Sequence, residues 1–358
     1  MSQTCNAWRM GMNSAQYRII ATGVIGNVLE WYDFAIYGYF AAAIGRQFFS
    51  HEDPVAQLLS AFGVFALGYL MRPLGGALFE LAMFGATGGI LLGSAVGAAF
   101  AAALPATALE TWGWRIPFLL GLIVGIAGYF LRRHVLEMIP TVRRKRSPII
   151  DTLHHHWRTV IGVAGLSVFG ASGFYVCFVY LVSWLQTADR FPASRALEIN
   201  SFSMAMMLPT VILAGLLSDR FGRKPLLLFS TLLGIVGALP LFWLVHHPSI
   251  AFAQFGQLGF VLIIGVYLGA LPTAVVEAAP PSVRCTAVSL GYNICFGVIG
   301  GLSPLVAAWL ITRTGDEIAP AFFIAASAVV TLLAVISLRE TYRASFPSVN
   351  SRAAPAYT

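Results

Sequence analysis

Apolar runs of about 20 residues recur along the whole of this chain, and no other feature restricts its fold as strongly. A helix of about 20 apolar residues is what crosses the hydrocarbon core of a bilayer. Only helices and closed barrels satisfy their own backbone polar groups in lipid, and the alternation of a barrel strand is absent. Composition agrees: 58% of residues are hydrophobic and 10% charged, against about a quarter charged in soluble domains. The sequence therefore predicts an all-α fold, a polytopic membrane helical bundle. Ten runs stand out, at 19–44, 55–79, 81–105, 112–131, 159–186, 200–217, 225–245, 257–279, 287–312 and 319–338. The longest polar stretch between them, 132–156, divides four spans from six. Four regions follow: a first half-bundle over 1–131, a linker over 132–156, a six-helix half-bundle over 157–340 and a tail over 341–358.

The net charge of +7 need not mean a nucleic-acid partner. Of the 22 Lys and Arg residues, 16 fall on the side of the N-terminus, 5 on the other side, and Arg72 lies within a span. Basic residues accumulate in cytoplasmic loops, so both termini are expected in the cytoplasm, with the chain in a cell (inner or plasma) membrane. The run Arg143, Arg144, Lys145, Arg146 then anchors a loop. The first apolar run is too long for a cleaved leader and contains Glu30 and Asp33. The cysteines at 5, 177, 285 and 295 have no metal spacing, and His154, His155 and His156 read as part of the linker, so no metal or cofactor is expected. There is no HExxH, nucleophile elbow or Walker loop, which argues against an enzyme and against ATP-driven transport.

The two halves echo each other. "FGATGG" at 84–89 resembles "FGVIGG" at 296–301, an offset of 212. Aligning Pro73 with Pro209 gives an offset near 135 up to Phe79 and Ala214. The difference, 212 − 135 = 77 residues, is the length of two spanning helices with their loops. The first half therefore lacks about two spans between Phe79 and Phe84. Losing an even number preserves the orientation of every later helix.

"GLLSDRFGRKP" at 215–225 is a knot of charge between two apolar runs. Its Gly215, Asp219, Arg220, Gly222, Arg223 and Lys224 resemble the signature loop of the major facilitator superfamily. "GNVLEWYDFAIYGYF" at 26–40, "GYLMRPLGGALF" at 68–79, "WGWRIPF" at 112–118 and "EAAPPSVRCTAVSLGYN" at 277–293 are similar to its metabolite:H⁺ symporter branch, which carries citrate, 2-oxoglutarate, shikimate and proline or betaine. The resemblance covers nearly the whole chain. It implies a twelve-span fold of two six-helix halves, here reduced to about ten (4 + 6) by loss of the third and fourth. It also implies that the loop at Asp219, Arg220, Gly222, Arg223 and Lys224 braces one half against the other as a gate.

Gly26, Glu30, Asp33 and Tyr37 are spaced 4, 3 and 4 apart, on one helical face. Acids in a membrane helix cost about 2.5–3.5 kcal/mol each, so Glu30 and Asp33 should face the interior, where they are candidates for proton coupling or substrate contact. Arg72 is the only base deep within a span; it either pairs with one of these acids or meets a substrate carboxylate. Arg115, between tryptophans, reads as an interfacial anchor. Tyr175, Tyr180, Tyr292 and Asn293 are polar groups on later spans, with Asn293 the best candidate there for a substrate hydrogen bond. Glu277 and Arg284 are expected to form an ion pair that helps close the cytoplasmic side. The reading is a proton-coupled symporter of a small polar metabolite, an organic acid or a zwitterion, with protons, substrate and lipid as its partners. The alternative is a non-transporting remnant of the same fold.

Overall fold

The computed structural model describes residues 28, 31–49, 54–70, 82–132, 148–187, 191–280 and 283–340. Among these residues there is no strand. The first half begins with α1 (31–39) and α2 (Ala41–Phe48), joined at Phe40, whose backbone keeps the ladder through Ile36 and Ile44. There follow α3 (Pro54–Leu70), α4 (Ala82–Ala103), the short α5 (Ala106–Ala108) running into a π turn over Leu109–Gly113, and α6 (Arg115–Arg132). Within the stretch read as a polar linker, Pro148–His155 form helix α7, with Asp151 in its first turn paired to His155 at 3.2 Å.

The second half has six long rods. They are α8 (Trp157–Tyr175) continued by a π turn (Val176–Tyr180) and α9 (Leu181–Thr187); α10 (Ala193–Phe221); α11 (Arg223–Val245); α12 (Ile250–Ala278); α13 (Arg284–Ile294) continued by a π turn (Cys295–Gly300) and α14 (Gly301–Thr314); and α15 (Ala319–Ser337). All six are long and apolar enough to cross a membrane. Among the described residues of the first half, the apolar stretches are the shorter Ala56–Phe65 and Thr87–Ala103. The six rods match the six expected runs, but five of them start earlier, most of all at Ala193 where 200 was expected and at Ile250 where 257 was. Helices continue past the hydrocarbon into the headgroup layer, and Gln254 is satisfied within the bundle, donating from Nε2 to Ser203 Oγ at 3.0 Å. Pro209, Pro240, Pro272 and Pro304 lie inside rods, as neighbouring helices in a bundle allow.

Small residues set the closest contacts. The two echo motifs do the same job in each half. Gly89 of α4 lies against α1, where an added Cβ would meet Trp31 Cβ at 3.0 Å, and Gly300 lies against Tyr175 of the α8 rod at 2.6 Å. α4 also packs along α10, and α3 against α14; these two seams join the halves. Within the second half α12 crosses α10 at Gly269, where a Cβ would stand 2.5 Å from the Val211 carbonyl oxygen and 2.7 Å from Ala214 Cβ. Backbone cannot yield as a flexible side chain does. Gly269→Val is therefore expected to destabilise the purified protein by about 1–3 kcal/mol, the range for overpacking. Thermal melting in detergent checks this against Gly63→Val, whose site has nothing within 4 Å and should melt as the parent does.

Candidate functional site between the halves

The densest buried polar group lies on the seam, towards the end of the bundle where α9 meets α10. Asn200 of α10 donates from Nδ2 to the Tyr39 hydroxyl oxygen of α1 at 2.8 Å and to Ser94 Oγ of α4 at 3.3 Å. Gln257 of α12 donates from Nε2 to Asn200 Oδ1 at 3.0 Å and to the Cys177 carbonyl oxygen, in the π turn, at 3.1 Å. Ser203 donates to Gln257 Oε1 at 3.3 Å, and Ser201 to Ser94 Oγ at 2.7 Å. Ser183 donates to the Gly38 carbonyl oxygen at 2.8 Å. Asn200, Ser94, Ser183 and Ser203 are fully buried. These bonds tie α1 and α4 to α8–α9, α10 and α12, so any motion that parts the halves here must break them.

Beside this network lies an aromatic layer. Trp31 of α1 stacks on Tyr175 at 5.9 Å and meets Phe174 edge-on at 5.8 Å. Phe65 of α3 touches Tyr37 at 5.8 Å and Tyr175 at 6.4 Å, and Phe62 touches Tyr180 at 6.1 Å. Ring faces from both halves thus meet across the seam. Such faces attract cations.

The expected site residues are dispersed. Glu30 and Arg72 lie outside the described residues, as does Glu80. Asp33 is exposed, its Oδ1 beside Gly121 of α6, and not turned to the interior as expected. The α1 turn that sends Trp31 into the seam turns Asp33 towards α6, where the Tyr32 hydroxyl donates to the Pro117 carbonyl oxygen at 2.7 Å. The Tyr37 hydroxyl donates to the Ala61 carbonyl oxygen of α3 at 3.1 Å. Asn293 donates to the Ser289 carbonyl oxygen of its own helix at 2.9 Å. Tyr292 stacks on Phe296 at 4.1 Å. Arg115 lies over the Trp114 ring at 4.5 Å and donates to the Thr111 carbonyl oxygen at 2.6 Å. Among the described residues no group of three His, Cys, Asp or Glu side chains could hold a metal ion. Asn200, Gln257, Tyr39 and Ser94 were missed. Their signal was present: two amide side chains inside apolar runs, which membranes tolerate only when paired.

The signature loop forms a second cluster at the opposite end. Gly222 separates α10 from α11 with φ +104° and ψ 161°, a conformation open essentially to glycine alone. A Cβ there would also meet Glu340 Oε2 at 2.8 Å. This turn aims Arg223 back along α10. Its Nη1 contacts Asp219 Oδ1 at 2.8 Å and donates to the Ser218 carbonyl oxygen at 2.6 Å, and its Nη2 reaches Glu277 Oε1 of α12 at 3.2 Å. Glu340, just beyond α15, accepts from the backbone N–H groups of Arg223 (3.2 Å) and Lys224 (3.0 Å), where the positive end of α11 favours an anion. Lys224 returns the contact, donating from Nζ to the Ile336 and Leu338 carbonyl oxygens at 2.8 Å each. Each helix caps the other. Arg284 donates from Nε to the Ala279 carbonyl oxygen at 3.1 Å, closing the end of α12. Arg220 lies over the Phe221 ring at 5.5 Å.

The profile of the Major Facilitator Superfamily matches residues 34–304 and 199–356. The chain belongs to the major facilitator superfamily. Its superfamily relatives include the glycine betaine/proline/ectoine/pipecolic acid transporter OusA of Dickeya dadantii (strain 3937), 26% identical over 419 residues covering 90% of this chain and 83% of that protein. The proline/betaine transporter of Salmonella typhimurium (strain LT2) is 25% identical over 423 residues, with the same two coverages of 90% and 83%. Among solved structures of the superfamily, the partially occluded inward-open xylose transporter XylE from E. coli superposes with a TM-score of 0.62 at 15% identity, over 93% of this chain and 100% of that chain. That likeness concerns the fold alone. The OusA alignment is longer than this chain, so at least 419 − 358 = 61 aligned positions have no counterpart here. A superfamily bundle short of its third and fourth helices accounts for this. The chain is thus a multi-pass membrane protein of this transporter superfamily, and not an enzyme.

Proposed function

We propose that this chain couples protons to the symport of a small zwitterion of the proline or betaine kind, by alternating access in the cell (inner or plasma) membrane with both termini cytoplasmic. The observation that carries the reading is the buried Asn200–Tyr39–Ser94–Gln257 network, which ties the two half-bundles together near the α9–α10 end. With the orientation that the basic loops favour, the locked end faces outwards. A bundle that rocks about a central site needs a breakable closure of this kind. The transporters of similar sequence support the zwitterion, and so do the ring faces of Trp31, Tyr175, Phe65 and Tyr37 on the seam. In this reading Asp33 and Glu30 carry the coupled proton and Arg72 meets the substrate carboxylate. Tyr37 and Asn293, bonded within their own halves, position the helices that line the path. Glu277 and Arg284 work with the signature loop in closing the cytoplasmic side.

Proteoliposomes holding the 358-residue chain test this. Glycine betaine or proline added outside should produce a saturable, substrate-dependent proton influx, and Asp33→Asn should abolish that influx. A folded, inserted protein that gives no signal with either solute would make the chain a non-transporting member of its superfamily. The positions it lacks relative to OusA favour that second reading.

A further inference from the structure

A small cavity lies on the seam beyond the buried network, at the end where α9 meets α10. Its volume is about 220 Å³. That is below the roughly 300–1,000 Å³ of sites for drug-sized ligands, so it admits only a small solute. Both halves line it. Tyr39 and Phe40 come from the first half, Gln186 and Phe191 from the second. Arg46 and Glu110 also line it, and their Nη2–Oε1 contact is 3.0 Å long with 42% and 50% of the side chains exposed. The buried Tyr39 whose hydroxyl accepts from Asn200 is thus also a wall of this cavity.

We propose that this cavity is an outer loading subsite for a zwitterion, which inserts its carboxylate against Arg46 and its ammonium group between Glu110 and the rings of Tyr39, Phe40 and Phe191. The proposal rests on the zwitterion reading above and adds a place where the solute first binds. The chemistry follows from the lining. A guanidinium and a carboxylate side by side repel any solute of single charge at one of the two positions. A zwitterion offers a partner to each. An exposed ion pair contributes little to folding, so replacing it by two solute contacts costs the protein little. Ring faces accept a quaternary ammonium as readily as a primary one, since the attraction is to charge and not to a donated proton. A solute seated here also touches Tyr39, and so bears on the bond from Asn200 that must break for the end to open.

The test is isothermal titration of the full chain in nanodiscs with glycine betaine, with choline and acetate as single-charge probes. Binding of glycine betaine should weaken at least ten-fold in Arg46→Gln and in Glu110→Gln, with melting temperatures unchanged. Choline and acetate should not compete. Affinity within two-fold of the parent in both variants, or no binding to the parent, would overturn the subsite. Uptake by proteoliposomes separates the two proposals. Binding that is lost in the variants, from a parent that moves no solute, sinks the transport reading and leaves the subsite. Uptake whose external KM is the same in parent and variants sinks the subsite and leaves transport.

Discussion

Arg223→Gln is expected to be the most damaging single change in the signature loop. Arg223 and Glu277 keep only 12% and 15% of their side chains exposed, so their contact is shielded from water. Removing one member of such a pair leaves a carboxylate stripped of this guanidinium, which costs about 3–5 kcal/mol in buried cases. The same change also frees the Ser218 carbonyl oxygen at the end of α10. Asp219 is 64% exposed, so Asp219→Asn should cost less than about 1 kcal/mol. Thermal melting of the purified protein measures both. The decisive comparison is the double variant with Glu277→Gln, which removes the carboxylate charge that faced Arg223 and should recover part of the loss. A double variant as unstable as Arg223→Gln alone would show that the charge of Glu277 is not what suffers.

Asn200→Leu is expected to unlatch the α9–α10 end. The amide joins α1, α4 and α12 through three hydrogen bonds of 2.8–3.3 Å to Tyr39, Ser94 and Gln257. Leucine keeps the bulk but leaves those groups short of a partner in an apolar setting, at about 1–3 kcal/mol for each orphaned group. In membranes the measured worth of such bonds is lower, about 0.6 kcal/mol on average, because the alternatives also find partners. A total near 1–3 kcal/mol shifts the balance between closed and open states by about 5- to 150-fold. The measurement is alkylation of a cysteine introduced at Ala43, which is 6% exposed, in a chain whose four native cysteines are alanine. A membrane-impermeant maleimide should label Ala43→Cys faster by that factor once Asn200 is leucine. Equal labelling rates would mean that the network is mere packing.

The sequence made the bundle legible because each rod is written locally, as an uninterrupted apolar run. The echo of "FGATGG" in "FGVIGG" was legible for a related reason: each motif ends in a glycine pair, one member of which lies against the first helix of its half, Gly89 against Trp31 and Gly300 against Tyr175. The signature loop announced itself by charge. Its partner Glu340 did not, because the contact with Arg223 spans 117 residues and an acid after the last apolar run looks like any tail residue. Asn200 and Gln257 were visible as amides at the starts of apolar runs, but whether one amide meets another depends on how the rods are rotated. Asp33 shows what spacing leaves open. Four residues apart on α1, Asp33 and Tyr37 meet different neighbours, Gly121 of α6 and Ala61 of α3, and nothing in a single helix says which neighbour a face will meet.

The π turns at Val176–Tyr180 and Cys295–Gly300 interrupt the two longest rods, each 31 residues, after 19 residues of helix in one and 11 in the other. A π turn carries one residue too many for the α ladder and loosens the register of its bonds. The carbonyl of Cys177 reaches sideways to Gln257 from within one of them. Each rod is therefore interrupted where its ladder is loosest, between α8 and α9 and between α13 and α14. In the proposed alternating access, bending at these two points is a freedom separate from the movement of whole halves, and both points lie away from the Arg223 cluster.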